Sequence, residues 1–214
     1  MAQRTIHYCF GTYLIEKGLI RDKDRFLLGS LLPDAYRFPQ DRKKAHFQSD
    51  RIPEKRFFDF DAFYDRFEGK IREDDLYLGY YLHLAEDDLY RDLFHRRLRL
   101  PRMKSDEDVE ALHRDYHLIN RAVVQAYDLH YDLKIPEDLD EEELLGIVPF
   151  ETEAFLREFE KDFHEEVTGE CRFISEEMVF RFVSEYRELL LKETEMLRRG
   201  ERFLRAEDWA WDLK

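Results

Sequence analysis

The chain reads as an all-α protein, one multi-helix domain of about seven helices spanning residues 1–214. Three observations predict this. Apolar residues recur at steps of three and four through several long segments, which is the period of a helix face. Helix formers (Leu, Glu, Lys, Arg) are abundant, whereas Gly and Pro number only 8 and 6, so breakers are few. No strand pattern, internal repeat or low-complexity linker interrupts the chain.

The elements follow in order. Thr5 caps a first helix over residues 5–17, ended by Gly18, with His7 in its first turn on the face of Gly11 and Leu14. Asp22 or Asp24 opens a second, short helix through R-F-L-L-G-S-L-L, which Pro33 ends. Asp34 follows at once, in the loop P-D-A-Y-R-F-P. The next twenty residues are polar and irregular, broken by Pro39 and Pro53, with His46 between Ala45 and Phe47. A third helix is expected over residues 57–67.

Residues 76–94 form the segment around which the others are arranged. Leu76, Tyr80, His83, Asp87, Tyr90 and Phe94 fall in one stripe, widened by Leu82, Leu89 and Leu93. Asp88, Arg91 and Asp92 are expected on the solvent side. Beyond Pro101, Ser105 caps a long helix to about residue 129, with an inward stripe of Val109, Leu112, Tyr116, Ile119, Val123 and Tyr127. Asp115 and Asn120 flank that stripe. After an acidic surface excursion over residues 136–143, a helix over residues 152–166 presents Phe155, Leu156, Phe159 and Phe163. Ser175 caps the last long helix, ended by Gly200, and the tail carries Trp209 and Trp211, which are expected to dock on the body.

Composition narrows the function. A formal charge of −14 disfavours nucleic-acid partners and adsorption to anionic membranes, both of which need basic patches. Arg42-Lys43-Lys44 and the group Arg96, Arg97 and Arg99 are short and read as solvated surface. No apolar run reaches the roughly 18 residues of a spanning helix. Without a secretion signal, the expected location is the cytoplasm. Cys9 and Cys171 stand far apart, outside any pairing or zinc-like spacing, and read as free thiols.

An imidazole and a carboxylate, His83 and Asp87, therefore occupy the middle of a face that points into the core. An unpaired buried carboxylate costs several kcal/mol, so something cationic must compensate it. The two side chains are four residues apart and can pair with each other or share a metal ion. His7, Asp34 and His46 add two imidazoles and a carboxylate, a donor set suited to one zinc site or to a two-metal centre. His95 lies off the His83 stripe, His117 points away from the core beside His113, and His130 and His164 lack partners at useful spacing.

The order of these motifs is familiar. H-Y-C-F-G, then L-L-G-S-L-L-P-D, then A-H-F, then L-G-Y-Y-L-H-L-A-E-D-D-L-Y resembles the zinc-dependent phospholipase C family, in its intracellular, unsecreted branch. The resemblance covers about residues 5–95, and H-R-D-Y-H-L-I-N extends it weakly to about residue 130. It implies an all-helical phospholipase C/P1 nuclease-like fold, with His7, His46, His83 and Asp87 as metal ligands. Asp34 would be a ligand or the base that orients the attacking water. The implied activity is zinc-dependent phosphoester hydrolysis on a small phosphoester substrate.

The chain departs from the secreted members in two ways. It has no equivalent of their N-terminal tryptophan ligand, and none of its histidines is followed four residues later by glutamate. One or two ions are therefore expected, with Asp115 or Asn120 as late ligands or as hydrogen-bond partners of the ligands. Against this stands a helical binding or scaffold protein that keeps a metal site for stability. A hydrolase of the His-Asp kind is disfavoured because the dipeptide H-D does not occur.

Overall fold

In the computed structural model, which describes residues 2–101, 103–165 and 167–212, helices dominate as the periodicity predicts. Helix α1 runs Arg4–Glu16 and ends at Gly18, whose φ of 73° is left-handed. Its start differs from expectation. Thr5 lies inside the helix, and the N-cap is Gln3, which makes no side-chain capping bond. Helix α2, Lys23–Leu31, is capped by Asp22, whose side chain accepts from the Arg25 amide. A 3-10 turn, Leu32–Asp34, follows at Pro33.

The stretch expected to be irregular is the most structured surprise. It holds a one-turn helix α3 (Arg42–Ala45) and two short strands, β1 (Gln48–Ser49) and β2 (Lys55–Phe58). A third strand, β3 (Trp211–Asp212), closes a small antiparallel sheet of order β1-β2-β3, with Gln48 opposite Phe58 and Arg56 opposite Trp211. The expectation of no strands is thereby corrected. Strands of two to four residues are too short to display a period of two, and β3 comes from the far end of the chain. Phe57 and Phe58, expected to open the third helix, belong to β2 instead.

Helix α4 (Phe60–Glu73) and helix α5 (Asp75–Arg91) are capped by Asp59 and Asp74, which accept from the Ala62 and Leu76 amides. A π-helical turn, Asp92–Arg97, extends α5. Helix α6 (Asp106–Ala126) starts at Ser105, helix α7 covers Thr152–Lys161, and helix α8 (Glu176–Arg198) starts at Ser175. The eighth helix, against about seven expected, is α3, too brief for periodicity to reveal.

Helix α5 is the axis of the fold. Every residue from Asp75 to Tyr90 is buried, so the solvent face expected for Asp88 and Asp92 does not exist. Both carboxylates are employed inside. Asp88 accepts from the Phe58 amide at 3.1 and 3.2 Å, fastening β2 to the helix, and Asp92 accepts from the Tyr186 hydroxyl at 3.0 Å. The aromatic abundance explains the enclosure. Phe63 stacks on Tyr80 at 4.8 Å, and Tyr90 stacks on Phe94 at 4.0 Å, filling space around α5 that aliphatic side chains would leave open.

Two glycines set how closely α2 approaches α5. A Cβ at Gly29 would lie 2.0 Å from the Leu76 carbonyl oxygen, and one at Gly79 would lie 2.2 Å from the Phe26 carbonyl oxygen. Only glycine permits this backbone-to-backbone contact. It brings α2 against the first turns of α5, one turn before His83. The tail docks as expected: Trp209 and Trp211 pack against the core, and the Arg91 guanidinium lies 3.9 Å above the Trp211 ring. Cys9 is buried, Cys171 is exposed, and both are free. No helix among the described residues is long and apolar enough to cross a membrane.

Candidate metal centre

The five side chains singled out from the sequence meet at one place. His7 comes from α1, Asp34 from the turn after α2, His46 from the end of α3, and His83 and Asp87 from α5. His7, His83 and Asp87 are fully buried, His46 is buried, and Asp34 is half-buried at the edge. Two overlapping groups, His7 with His83 and Asp87, and Asp34 with His46 and His83, have ligand atoms within 4.8 Å of one another.

The hydrogen bonds around the rings decide which nitrogen faces inward. The Nδ1 of His83 lies 2.8 Å from the Ser30 carbonyl, and that of His46 lies 2.9 Å from the Arg42 carbonyl. A carbonyl only accepts, so each Nδ1 must carry the proton, and each Nε2 keeps its lone pair when the ring is neutral. The Nδ1 of His7 meets the Glu86 carboxylate at 2.6 Å, which again directs Nε2 inward.

With Glu86 ionised and the three rings neutral, the inward atoms are all acceptors. His7 Nε2 stands 3.7 Å from Asp87 Oδ1, and His83 Nε2 stands 3.7 Å from Asp87 Oδ2. His46 Nε2 stands 3.2 Å from Asp34 Oδ1 and 3.8 Å from Asp87 Oδ2. His7 Nε2, His83 Nε2 and Asp87 Oδ2 have no hydrogen-bond partner at all. Buried polar atoms left this way are costly, and three together without a donor call for a cation. Ligands about 2.1 Å from one tetrahedral ion stand about 3.4 Å from each other, close to the separations seen here. A doubly protonated His46 would satisfy Asp34 but would leave the other three atoms as they are.

Burial acts in the same direction. It pushes the His7 imidazole well below its ordinary value of 6.5, with repulsion from His83 adding to the effect. It also lowers His83, against the opposing pull of Asp87 and Asp34. Both rings are thus neutral near pH 7, the form that binds metal. The two rings stack at 3.9 Å, an arrangement two imidazolium ions would resist. Burial alone would raise Asp34, but a proton shared with His46 Nε2, and the charge of the surrounding imidazoles once they are protonated in acid, outweigh it and hold the carboxyl well below the usual carboxylate range. Burial and the Asp87 charge push Glu86 well above that range, a push that a cation held by Asp87 would oppose, favouring the ionised form.

Glu86 has no place in the stripe drawn from the sequence, although its spacing of three from His83 puts both residues on one side of α5. Its role is legible only once α1 is in position, because its partner is seventy-nine residues away. A carboxylate that holds the remote nitrogen of a ligating histidine fixes its tautomer and raises its basicity. The Ala2 amide supplies the other contact to Asp87, donating to Oδ1 at 2.7 Å.

The remaining candidates take other roles. Asp115 accepts from the amides of Arg172, Phe173 and Ile174 at 2.8, 2.6 and 3.1 Å, so its oxygens fasten a loop and are not offered to the centre. Asn120 is buried with Oδ1 lacking a partner, and Val109, expected inward, is exposed. His95 sits half-buried in the π turn, while His113, His117, His130 and His164 are exposed. None of these five belongs to the two donor groups. Tyr80, Tyr81 and Tyr90 are fully buried core.

One side of the centre opens to solvent. A cavity of about 580 Å³ includes His46 in its wall, together with basic and polar side chains and the apolar Pro39, Phe58 and Trp211. The His7 side is closed. No protein-family model, curated protein or solved structure matches this chain.

Proposed function

We propose that the chain is a metal-dependent phosphoester hydrolase of phospholipase C type, with zinc as the ion. The observation that carries this reading is the set of inward-facing, partnerless acceptors, His7 Nε2, His83 Nε2 and Asp87 Oδ2, with one or the other oxygen of the Asp87 carboxylate 3.7 Å from each ring nitrogen. Imidazole with carboxylate is the donor chemistry of zinc, although other divalent transition metals accept the same atoms.

His7, His83 and Asp87 would hold the ion on the closed side. Asp34 and His46 would complete its surroundings on the open side, where a second ion could also be accommodated. A divalent ion there supplies Lewis-acid chemistry, acidifying water towards neutral pH and offsetting negative charge on a phosphoryl group. The protein's own part is positional. Ser30 and Arg42 lock the proton on the Nδ1 atoms of His83 and His46, and Glu86 does so for His7. Asp34, ionised and only slightly exposed next to His46, is placed to accept a hydrogen bond from, and so orient, a water attacking a phosphoryl group that enters along His46. The substrate would be a small soluble phosphoester, since a chain of net charge −14 is disfavoured from adsorbing to anionic lipid.

One observation favours a second reading. The group of His7, His83 and Asp87 is sealed from solvent, as ligands of a purely structural ion are. Hydrolysis of p-nitrophenyl phosphate and bis-p-nitrophenyl phosphate separates the two, measured with and without chelator and in Asp34→Asn. The hydrolase reading predicts chelator-sensitive turnover lost in Asp34→Asn. Bound metal with no turnover of either ester supports the scaffold, and protein that binds no divalent metal contradicts both.

A further inference from the structure

The cavity that reaches His46 is walled by Arg42 and Lys43 from α3, Arg56 from β2 and Arg91 from the end of α5, and by no carboxylate. In a chain of net charge −14 this is a concentrated positive spot. Among the described residues Arg42, Lys43 and Arg56 form no ion pair, so their charges are not already neutralised. Arg56 lies opposite Trp211 in the β2–β3 register, and Arg91 rests on the Trp211 ring. The tail thus completes the wall and helps hold the two guanidiniums beside the cavity. A concave basic wall focuses its field on the enclosed space more strongly than the same charges would on a flat surface. The buried His46, with Nε2 turned to Asp34, forms the floor.

We propose that this cavity is an anion subsite that holds a second phosphate group of the substrate whose scissile phosphoryl group lies at Asp34 and His46. The substrate class is therefore a small, soluble bisphosphorylated compound. Guanidinium and ammonium groups bind phosphate through charge-assisted hydrogen bonds, and arginine does so with two parallel N–H donors. A cavity of about 580 Å³ falls within the span of small-ligand sites. A phospholipid with one phosphodiester would leave this wall unmatched. The assignment of the first phosphate rests on the hydrolase reading, whereas anion binding by the cavity does not.

The test compares ethylene glycol bisphosphate with ethyl phosphate, two ligands that share one phosphate, by calorimetry on the protein as purified with its metal content measured. The subsite predicts that the bisphosphate binds at least about tenfold more tightly, a preference that weakens with added salt. Arg42→Ala/Lys43→Ala, both exposed on α3, should abolish the preference while leaving the unfolding midpoint unchanged. Arg56→Ala should reduce it as well, and Lys44→Ala, outside the cavity wall, should not. Equal affinity for the two ligands in the wild type, or a preference that survives the double variant, overturns the proposal. A preference without turnover of either compound upholds the subsite and sinks the hydrolase reading; turnover without a preference does the reverse.

Discussion

Gly79→Ala offers a demanding test of how the fold builds the centre. In an exposed helix such a change stabilises by about 1 kcal/mol, because alanine has the better helix propensity. At Gly79 the new Cβ would lie 2.2 Å from the Phe26 carbonyl oxygen and 2.7 Å from the Ser30 amide nitrogen. Carbon and oxygen in ordinary contact stand about 3.3 Å apart, so α2 must retreat from α5 by about 1 Å. Overpacking of this kind costs about 3 kcal/mol, leaving a net loss of about 2 kcal/mol after the propensity gain. The same retreat stretches the bond from His83 Nδ1 to the Ser30 carbonyl, now 2.8 Å, past hydrogen-bonding range. Loss of such an orienting contact lowers metal affinity by about tenfold or more. Denaturant unfolding and zinc titration against a competing chelator would measure both effects. Gly69→Ala is the control, since nothing lies within 4 Å of its Cβ in the exposed part of α4. Should Gly79→Ala gain stability as Gly69→Ala does, or lose stability without weakening zinc binding, the coupling between the helix crossing and the centre is refuted.

Three further predictions draw on separate parts of the molecule. Glu86→Gln should weaken metal binding by about 10- to 100-fold while His95→Ala leaves it unchanged, because Glu86 holds His7 and His95 stands outside the donor groups; chelator competition reads both. Asp115→Ala strands the three amides it receives and should cost about 3 kcal/mol or more in denaturant unfolding, with zinc affinity unaltered. The hydrogen bond with Asp162 raises His117 above its ordinary value of 6.5. The stability it adds is therefore complete below pH 6.5 and fades as pH rises through the raised value. His117→Gln should flatten that part of the unfolding midpoint against pH, and an unchanged profile would show that the pair contributes nothing.

Much of the centre was legible in the sequence because its residues are anomalies of pattern. A histidine and an aspartate in the apolar stripe of residues 76–94 demand compensation, and His7, Asp34 and His46 could be gathered beside them by motif order. Glu86 was not legible, nor were the carbonyls of Ser30 and Arg42, since each acts on a ring brought to it by another element. The helices declared themselves wherever one face meets water, as in α6 and α8. Helix α5 misled at Asp88 and Asp92 because it is enclosed on all sides, so its polar residues mark internal hydrogen bonds and not an outer face. The sheet escaped notice because it joins three fragments of two to four residues, one of them at the opposite end of the chain. Arg42 and Lys43 lie exposed, as expected of solvated surface, yet the cavity they wall depends on Arg56, Arg91 and Trp211 arriving from three other elements.

The central claim is that a cation sits among acceptors that otherwise face each other without a donor. Anomalous diffraction at the zinc edge, from crystals of protein prepared without chelator and supplied with zinc, addresses it directly. The account predicts a peak about 2.0–2.1 Å from the Nε2 atoms of His7 and His83 and bonded to Asp87. A crystal with no peak there, or with zinc held only by exposed histidines such as His113 or His117, would contradict it.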